Sequence, residues 1–113
     1  KAGYYEAILT DKNREVYEAA YSNIFWFEKN TLCTRKNDVL EGIIRQTIIK
    51  ISPFPIKFKT INIKDLYKKQ EIFLTGSVSG IIPVTKIDHH KIGNGKPGEK
   101  TKILTEKFTN LLS

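Results

Sequence analysis

The chain has 113 residues, of which 40% are hydrophobic and 27% charged, and its formal net charge is +7. This length fits one domain or part of one, and six Phe, five Tyr and one Trp exclude a disordered chain. The single Cys excludes a disulfide scaffold, one Cys and two adjacent His cannot form a metal cluster, and no apolar run is long enough to span a membrane. The sequence contains no Met and begins at Lys1, so we expect a portion of a longer protein.

Strands joined by polar turns are predicted for the first third of the sequence. The predicted strands are residues 5–9, 15–18, 23–27 and 31–34. Turn-forming residues at 11–14 and 28–30 separate them in pairs, so each pair could form a hairpin.

From Gly42 the apolar period changes to that of a helix. Apolar residues from Ile43 to Ile51 recur at helical spacing, and Ser52-Pro53-Phe54-Pro55 ends the helix. The remaining predicted elements are a strand at 56–61, a short helix with Asn62 as its N-cap and its end near Lys69, strands at 71–75 and 81–87, and a helix at 101–112. Pro83 predicts that the strand at 81–87 is an edge strand or contains a bulge. The pattern favours a mixed α+β fold with mostly antiparallel strands and flanking helices.

The positive charge raises the question of a nucleic-acid partner. A loose basic stretch comprises Lys57, Lys59, Lys64, Lys68 and Lys69. Only three of the nineteen basic residues are Arg, the residue that dominates contacts to bases, and no aromatic signature accompanies them. A basic, non-enzymatic nucleic-acid-binding module is therefore an alternative reading, and we expect no nucleic-acid partner.

Three local patterns suggest chemistry but are weak. Gly93, Gly95 and Gly98 match the dinucleotide fingerprint, yet no acidic residue follows at the required distance. His89-His90 is expected to be an exposed loop pair, and Cys33, within a strand pattern, is expected to pack as a small hydrophobic residue.

Two segments could bind an anion through backbone amides. One is the predicted helix start at Gly42-Ile43-Ile44, where the first amides are unpaired. The other is the loop from Thr75 to Gly80, with small side chains and the Ser77 hydroxyl. The two segments could bind one phosphate group together. The alternative is that both are ordinary loops without a ligand.

Taken in order, five segments resemble class IV aminotransferases, the fold type IV pyridoxal-phosphate enzymes. These segments are Glu6–Asp11, Glu18–Phe25, Val39–Arg45, Glu71–Ser77 followed by Ile82–Val84, and Ile92–Gly98. The family includes branched-chain aminotransferase, D-amino acid aminotransferase and 4-amino-4-deoxychorismate lyase. The resemblance implies that residues 1–113 are part of the C-terminal, cofactor-binding domain, with a pseudo-barrel-like sheet, and that the N-terminal domain is absent from this chain.

The resemblance also implies contacts to the cofactor pyridoxal 5'-phosphate (PLP) and to the substrate. Glu18 matches the carboxylate that faces the pyridine nitrogen, where it would keep that nitrogen protonated. The other matches are Leu40 on the cofactor ring, Ile43 and Ile44 amides and Gly76-Ser77 on the phosphate, and Ser77-Val78 near the substrate carboxylate.

Three departures from the family pattern matter. Family transaminases often have Thr where Ile44 stands, so a hydroxyl contact is lost, and some members have Ser where Gly76 stands. The lysine that binds the cofactor covalently in the family lies upstream of Glu6–Asp11, and Lys1 is too close to that strand to replace it. We therefore expect an enzyme in its full-length form and no activity from these residues alone.

The reaction stays open between two alternatives. Residues 23–26, 42–46 and 77–84 favour the lyase, which releases pyruvate to give 4-aminobenzoate. Residues 87–88 and 92–98 favour aminotransferases of the branched-chain or D-amino acid type. The resemblance further implies an amino-acid or aminodeoxychorismate substrate, the N-terminal portion of the same enzyme as a partner, and a homodimer. With a single Cys and no leader, we expect a cytoplasmic protein without membrane association.

Overall fold

The computed structural model describes residues 5–7, 24–35, 43–76, 80–87 and 90–112. Seven strands and three helices occur in these residues. In chain order they are β1 (Tyr5–Ala7), β2 (Ile24–Glu28), β3 (Thr31–Thr34), α1 (Ile43–Ile51), β4 (Ile56–Phe58), α2 (Ile63–Leu66), β5 (Ile72–Gly76), β6 (Gly80–Ile87), β7 (His90–Lys91) and α3 (Glu99–Leu112).

The described strands form one mixed sheet. Its order is β1-β6-β5-β2-β3-β4, with β7 also paired to β6. The β2–β3, β2–β5, β5–β6 and β6–β7 pairs are antiparallel, and the β1–β6 and β3–β4 pairs are parallel. The prediction of a mixed α+β fold with mostly antiparallel strands is confirmed. Among the described strands, β1 and β4 lie at the two edges of the sheet and do not pair with each other. The predicted pseudo-barrel-like sheet is therefore open in the described part of the chain.

The hairpin predicted at residues 23–34 is confirmed. β2 and β3 pair from Phe25↔Thr34 to Glu28↔Thr31, and Lys29 takes a left-handed φ of 57° in the turn between them. The first predicted hairpin cannot be compared, because its second strand, residues 15–18, lies outside the described residues. Its first strand, β1, pairs in parallel with β6.

Pro83 does not mark an edge strand. β6 lies between β1 and β5, so the edge alternative is wrong. The register between β1 and β6 shifts from Tyr5↔Val84 to Glu6↔Lys86, which leaves Thr85 as an extra residue directly after Val84. The bulge alternative therefore agrees with the structure.

The predicted helices agree with the structure except that α2 ends at Leu66 rather than near Lys69, and one strand is shorter than predicted. α1 ends at Ile51, before Pro53. β4 ends at Phe58 rather than at residue 61, and Ile61 is buried in the core instead. The Asn62 side chain accepts a 2.9 Å hydrogen bond from the Asp65 amide, which confirms the predicted N-cap.

Both faces of the sheet bury apolar side chains. One cluster lies on the α2 side and comprises Ile24, Trp26, Cys33, Ile61, Leu66, Ile72, Val84, Ile87 and Ile92. The other lies under α1 and α3 and comprises Phe25, Phe27, Leu32, Ile48, Phe73, Ile81, Leu104 and Phe108. Adjacent residues of β2 and β5 alternate between the clusters, as strand geometry requires. Cys33 is fully buried, as predicted, and burial raises the pKa of its thiol.

Candidate functional site

The first turn of α1 is suited to an anion. α1 has nine residues and no acidic side chain in its first turn, so the first amides, which have no partner within the helix, and the positive dipole end meet no carboxylate from that turn itself. The Ile43 side chain is 79% exposed, whereas Arg45 is fully buried.

Contacts at both ends of α1 determine its direction along the sheet. At its beginning, Arg45 Nη2 donates a hydrogen bond to the carbonyl of Arg35, directly after β3, and the Arg45 guanidinium lies 5.8 Å from the Phe58 ring centre. Beyond its end, the Phe54 ring packs edge-on against Phe27, near the β2–β3 turn, with ring centres 5.1 Å apart. α1 therefore begins where β3 ends and runs toward the hairpin turn.

β5 ends at this same end of the sheet. Leu74 pairs with Ile24 at the start of β2, whereas Ile72 pairs with Trp26, closer to the hairpin turn. Thr34 at the end of β3 donates a 2.8 Å hydrogen bond to the Ile24 carbonyl. The start of α1 and the end of β5 at Gly76 therefore lie at one end of the sheet, on elements that pack together.

The residues present at this end fit a phosphate group. Helix amides point from the first turn of α1, and no described carboxylate lies in that turn. The Thr75 hydroxyl, next to Gly76, is buried and has no hydrogen-bond partner within the described ranges. A Cβ built on Gly76 would meet only Ile82 Cδ1, at 3.6 Å, so the backbone there stays accessible.

Not every predicted site residue can be located. Ile43, Ile44 and Gly76 belong to the elements just described. Glu18, Leu40, Ser77 and Val78 lie outside the described residues, so their roles stay predictions. Thr75 is a candidate that the sequence motif alone does not single out, because small polar residues are common in such loops.

The glycine motif at residues 93–98 directly precedes α3, and a side chain of the protein itself occupies the N-terminus of this helix. The Glu71 carboxylate accepts hydrogen bonds from the Lys100 amide at 3.1 Å, the Thr101 amide at 2.8 Å and the Thr101 hydroxyl at 2.8 Å. A Cβ on Gly98 would overlap the Glu71 side chain. The anion at the start of α3 is therefore Glu71, which accounts for Gly98 without a dinucleotide.

Part of the basic stretch lies around the Glu28 carboxylate. Lys57, Lys68 and Lys69 line a cleft of about 500 Å³ together with Lys29 and Glu28, near the β2–β3 turn. Glu28 accepts bonds of 3.1 Å from Lys59, Lys69 and the Trp26 indole. Burial raises the pKa of Glu28, but these hydrogen bonds outweigh burial and hold it at about 2. Part of the basic stretch is thus used in an internal ion-pair network.

Other sequence candidates have structural explanations or give no site. The His90 ring stacks on Tyr67, with ring centres 3.7 Å apart, while His89 lies outside the described residues. Across the described ranges, no three His, Cys, Asp or Glu side chains are placed to hold a metal ion. None of the described helices is long and apolar enough to cross a membrane.

Comparisons with known proteins agree with this arrangement. A family model described as "Amino-transferase class IV" matches residues 1–87. A Thermotoga maritima protein named "Probable branched-chain-amino-acid aminotransferase" is 31% identical over 92% of this chain and 40% of its own length. The crystal structure of the Escherichia coli branched-chain amino acid aminotransferase superposes with a TM-score of 0.82 at 28% identity, covering 92% of this chain and 37% of that one.

A third related structure was determined in its PLP form. The branched-chain amino acid aminotransferase of Thermobaculum terrenum, in its PLP form, superposes with a TM-score of 0.79 at 26% identity, covering 91% of this chain and 36% of that one. The chain thus spans about 40% or less of the length of these relatives. Because the family model matches most of its residues and the fold agrees, the chain belongs to the class IV aminotransferase family.

Proposed function

We propose that the protein containing this chain is a PLP-dependent aminotransferase of branched-chain amino acids, and that this chain binds the cofactor phosphate. The observation that carries the proposal is the position of the α1 start and the β5 end at one end of the sheet. Relatives named branched-chain aminotransferases support it, including one determined in its PLP form and one with pyridoxamine 5'-phosphate.

In this proposal, the backbone of two elements holds the phosphate. The amides of Ile43 and Ile44 donate from the first turn of α1, and Gly76-Ser77 donates from the end of β5. PLP, when bound, supplies an electron sink for the α-carbon of the substrate. Glu18 faces the pyridine nitrogen and keeps it protonated, because a nearby carboxylate favours the charged form of that nitrogen.

The remaining site residues position the ring and the substrate. Leu40 packs on the cofactor ring and restricts its orientation. Ser77 and Val78 orient the substrate carboxylate through the same loop that holds the phosphate. One loop would therefore position the cofactor and the substrate relative to each other.

Further parts of the protein complete the site in this proposal. Two large apolar side chains near the start of α1 are exposed, Ile43 at 79% and Phe58 at 48%. An N-terminal portion of the same enzyme, or the second subunit of a homodimer, would cover them. The lysine that binds PLP covalently would come from that N-terminal portion.

The test of the proposed function is an assay of amino transfer by the intact, PLP-loaded protein. We expect transfer from L-leucine, L-isoleucine and L-valine to a 2-oxo acid, and at least about a 100-fold loss of turnover in Glu18→Ala with retained folding. Transfer only from D-amino acids, or pyruvate release from 4-amino-4-deoxychorismate without amino transfer, would contradict the assignment. Full turnover in Glu18→Ala would contradict the role of Glu18.

A further inference from the structure

Thr75 has a buried hydroxyl that no group in the described part of the chain satisfies. The residue is 7% exposed, and its Oγ1 has no hydrogen-bond partner among the described residues. Buried hydroxyls in native proteins nearly always have a partner, because leaving one unpaired costs free energy. A missing partner at this position therefore points to a bound molecule.

Strand geometry locates the Thr75 side chain. Thr75 pairs with Ile81 across β5 and β6, and directly paired residues share one face of a sheet. Ile81 belongs to the cluster under α1 and α3, against which Ile44 of the first turn of α1 also packs. The Thr75 hydroxyl is thus on the face that α1 covers, at the end of the sheet where α1 begins.

The chemistry at this position favours an anion. The first turn of α1 contributes amides that have no partner within the helix, and that turn contains no acidic residue. Ile44 and Gly76 contribute no hydroxyl. Thr75, next to Gly76, carries a hydroxyl on β5.

We propose that Thr75 Oγ1 donates a hydrogen bond to the phosphate group of PLP. This inference rests on the proposed function, since it assigns a further residue to the same cofactor site. A donor aimed at a charged phosphate forms a stronger hydrogen bond than one between neutral groups. Thr75 therefore contributes to affinity for the phosphate and not for the pyridine ring.

The test compares two substitutions in the intact protein. Thr75→Val removes the hydroxyl at nearly constant volume, and Thr75→Ser retains it. Binding of PLP, inorganic phosphate and pyridoxal, which lacks the phosphate, is measured by titration, and melting temperature is measured without ligand.

We expect Thr75→Val to weaken PLP and inorganic phosphate binding about 10-fold or more, and to leave pyridoxal binding unchanged. Thr75→Ser should stay within about 3-fold of the wild type for all three molecules. Without ligand, Thr75→Val should melt at or above the wild-type temperature, because it loses no hydrogen bond.

Two results would overturn the inference alone. One is that Thr75→Val binds PLP as tightly as the wild type, or that it loses as much affinity for pyridoxal as for PLP. The other is a ligand-free melting temperature about 3 °C or more lower in Thr75→Val, since the hydroxyl would then have a partner within the protein. No PLP binding by the wild-type protein would instead overturn the proposed function, and this inference with it.

Discussion

Gly80 is a residue at which backbone conformation and packing both restrict substitution. Its φ is +72°, and a Cβ would lie 2.9 Å from Cε2 of the buried Phe108 ring. We predict that Gly80→Ala lowers the free energy of unfolding by about 1–3 kcal/mol, measured by urea denaturation. Gly76→Ala is the matched control: its Cβ meets Ile82 only at 3.6 Å, so a change within about 1 kcal/mol is expected. Equal losses in both variants would contradict this explanation.

Glu28 links folding stability to pH. Its pKa of about 2 lies below the ordinary value of 4.5, so the ionised form stabilises the folded state. This contribution is complete above pH 4.5 and is lost as the pH falls toward 2. Because the side chain is 26% exposed and therefore partly screened, we expect Glu28→Gln to lose only about 1–2 kcal/mol at pH 6.

Urea denaturation of both proteins at several pH values checks this prediction for Glu28. The difference in unfolding free energy between wild type and Glu28→Gln should narrow steadily below pH 4.5. A difference that stays constant from pH 6 to 3 would contradict the ion-pair explanation. Lys102, which pairs with the exposed Glu99, provides a control, since Lys102→Ala should change stability by less than about 0.5 kcal/mol at every pH.

At the scale of elements, α3 depends on a cap from Glu71, the residue directly before β5. Gly98 precedes the first residue of α3 and has no side chain that could accept hydrogen bonds from the first amides of the helix, so the Glu71 carboxylate accepts them instead. We predict that Glu71→Ala destabilises the protein by about 2–4 kcal/mol and increases hydrogen exchange in the first turn of α3. Glu99→Ala, at an 87% exposed carboxylate of the same turn, should cost less than about 0.5 kcal/mol. Similar losses for both would show that α3 does not depend on Glu71.

Elements with a local signal were predictable from the sequence. The β2–β3 hairpin, α1 and the Asn62 cap follow from alternation, helical spacing and capping within a few residues. Contacts between distant segments were not predictable in this way. The Glu71 cap joins residues 29 and 30 positions apart, and Pro83 lies inside the sheet because β1 pairs with β6. Helical spacing also gave no indication that Arg45 is buried against Phe58.

The candidate site was predictable only in part. The two anion-binding segments are visible in the sequence as a helix start and a small-residue loop, but their position at one end of the sheet results from the β2–β5 register and the contacts of α1. Thr75 could not be selected from the sequence, because its significance is the missing partner of a buried hydroxyl. Motif order, rather than any single motif, indicated the family that the comparisons establish.

At the scale of the whole molecule, the sheet has two chemically different ends. The end near the β2–β3 turn carries the lysine cleft, where Glu28 pairs with Lys59 and Lys69. The opposite end carries the start of α1, Thr75 and Gly76, with helix amides, a free hydroxyl and accessible backbone. Among the described residues, the lysine cleft thus lies at the end of the sheet opposite the one that we assign to the phosphate.

A crystal structure of the intact protein with PLP tests this assignment most directly. We predict that the phosphate oxygens lie within about 3.2 Å of the Ile43 and Ile44 amides and of the Gly76-Ser77 segment, with the pyridine nitrogen facing Glu18. A phosphate bound elsewhere, such as in the lysine cleft near the β2–β3 turn, would contradict the account.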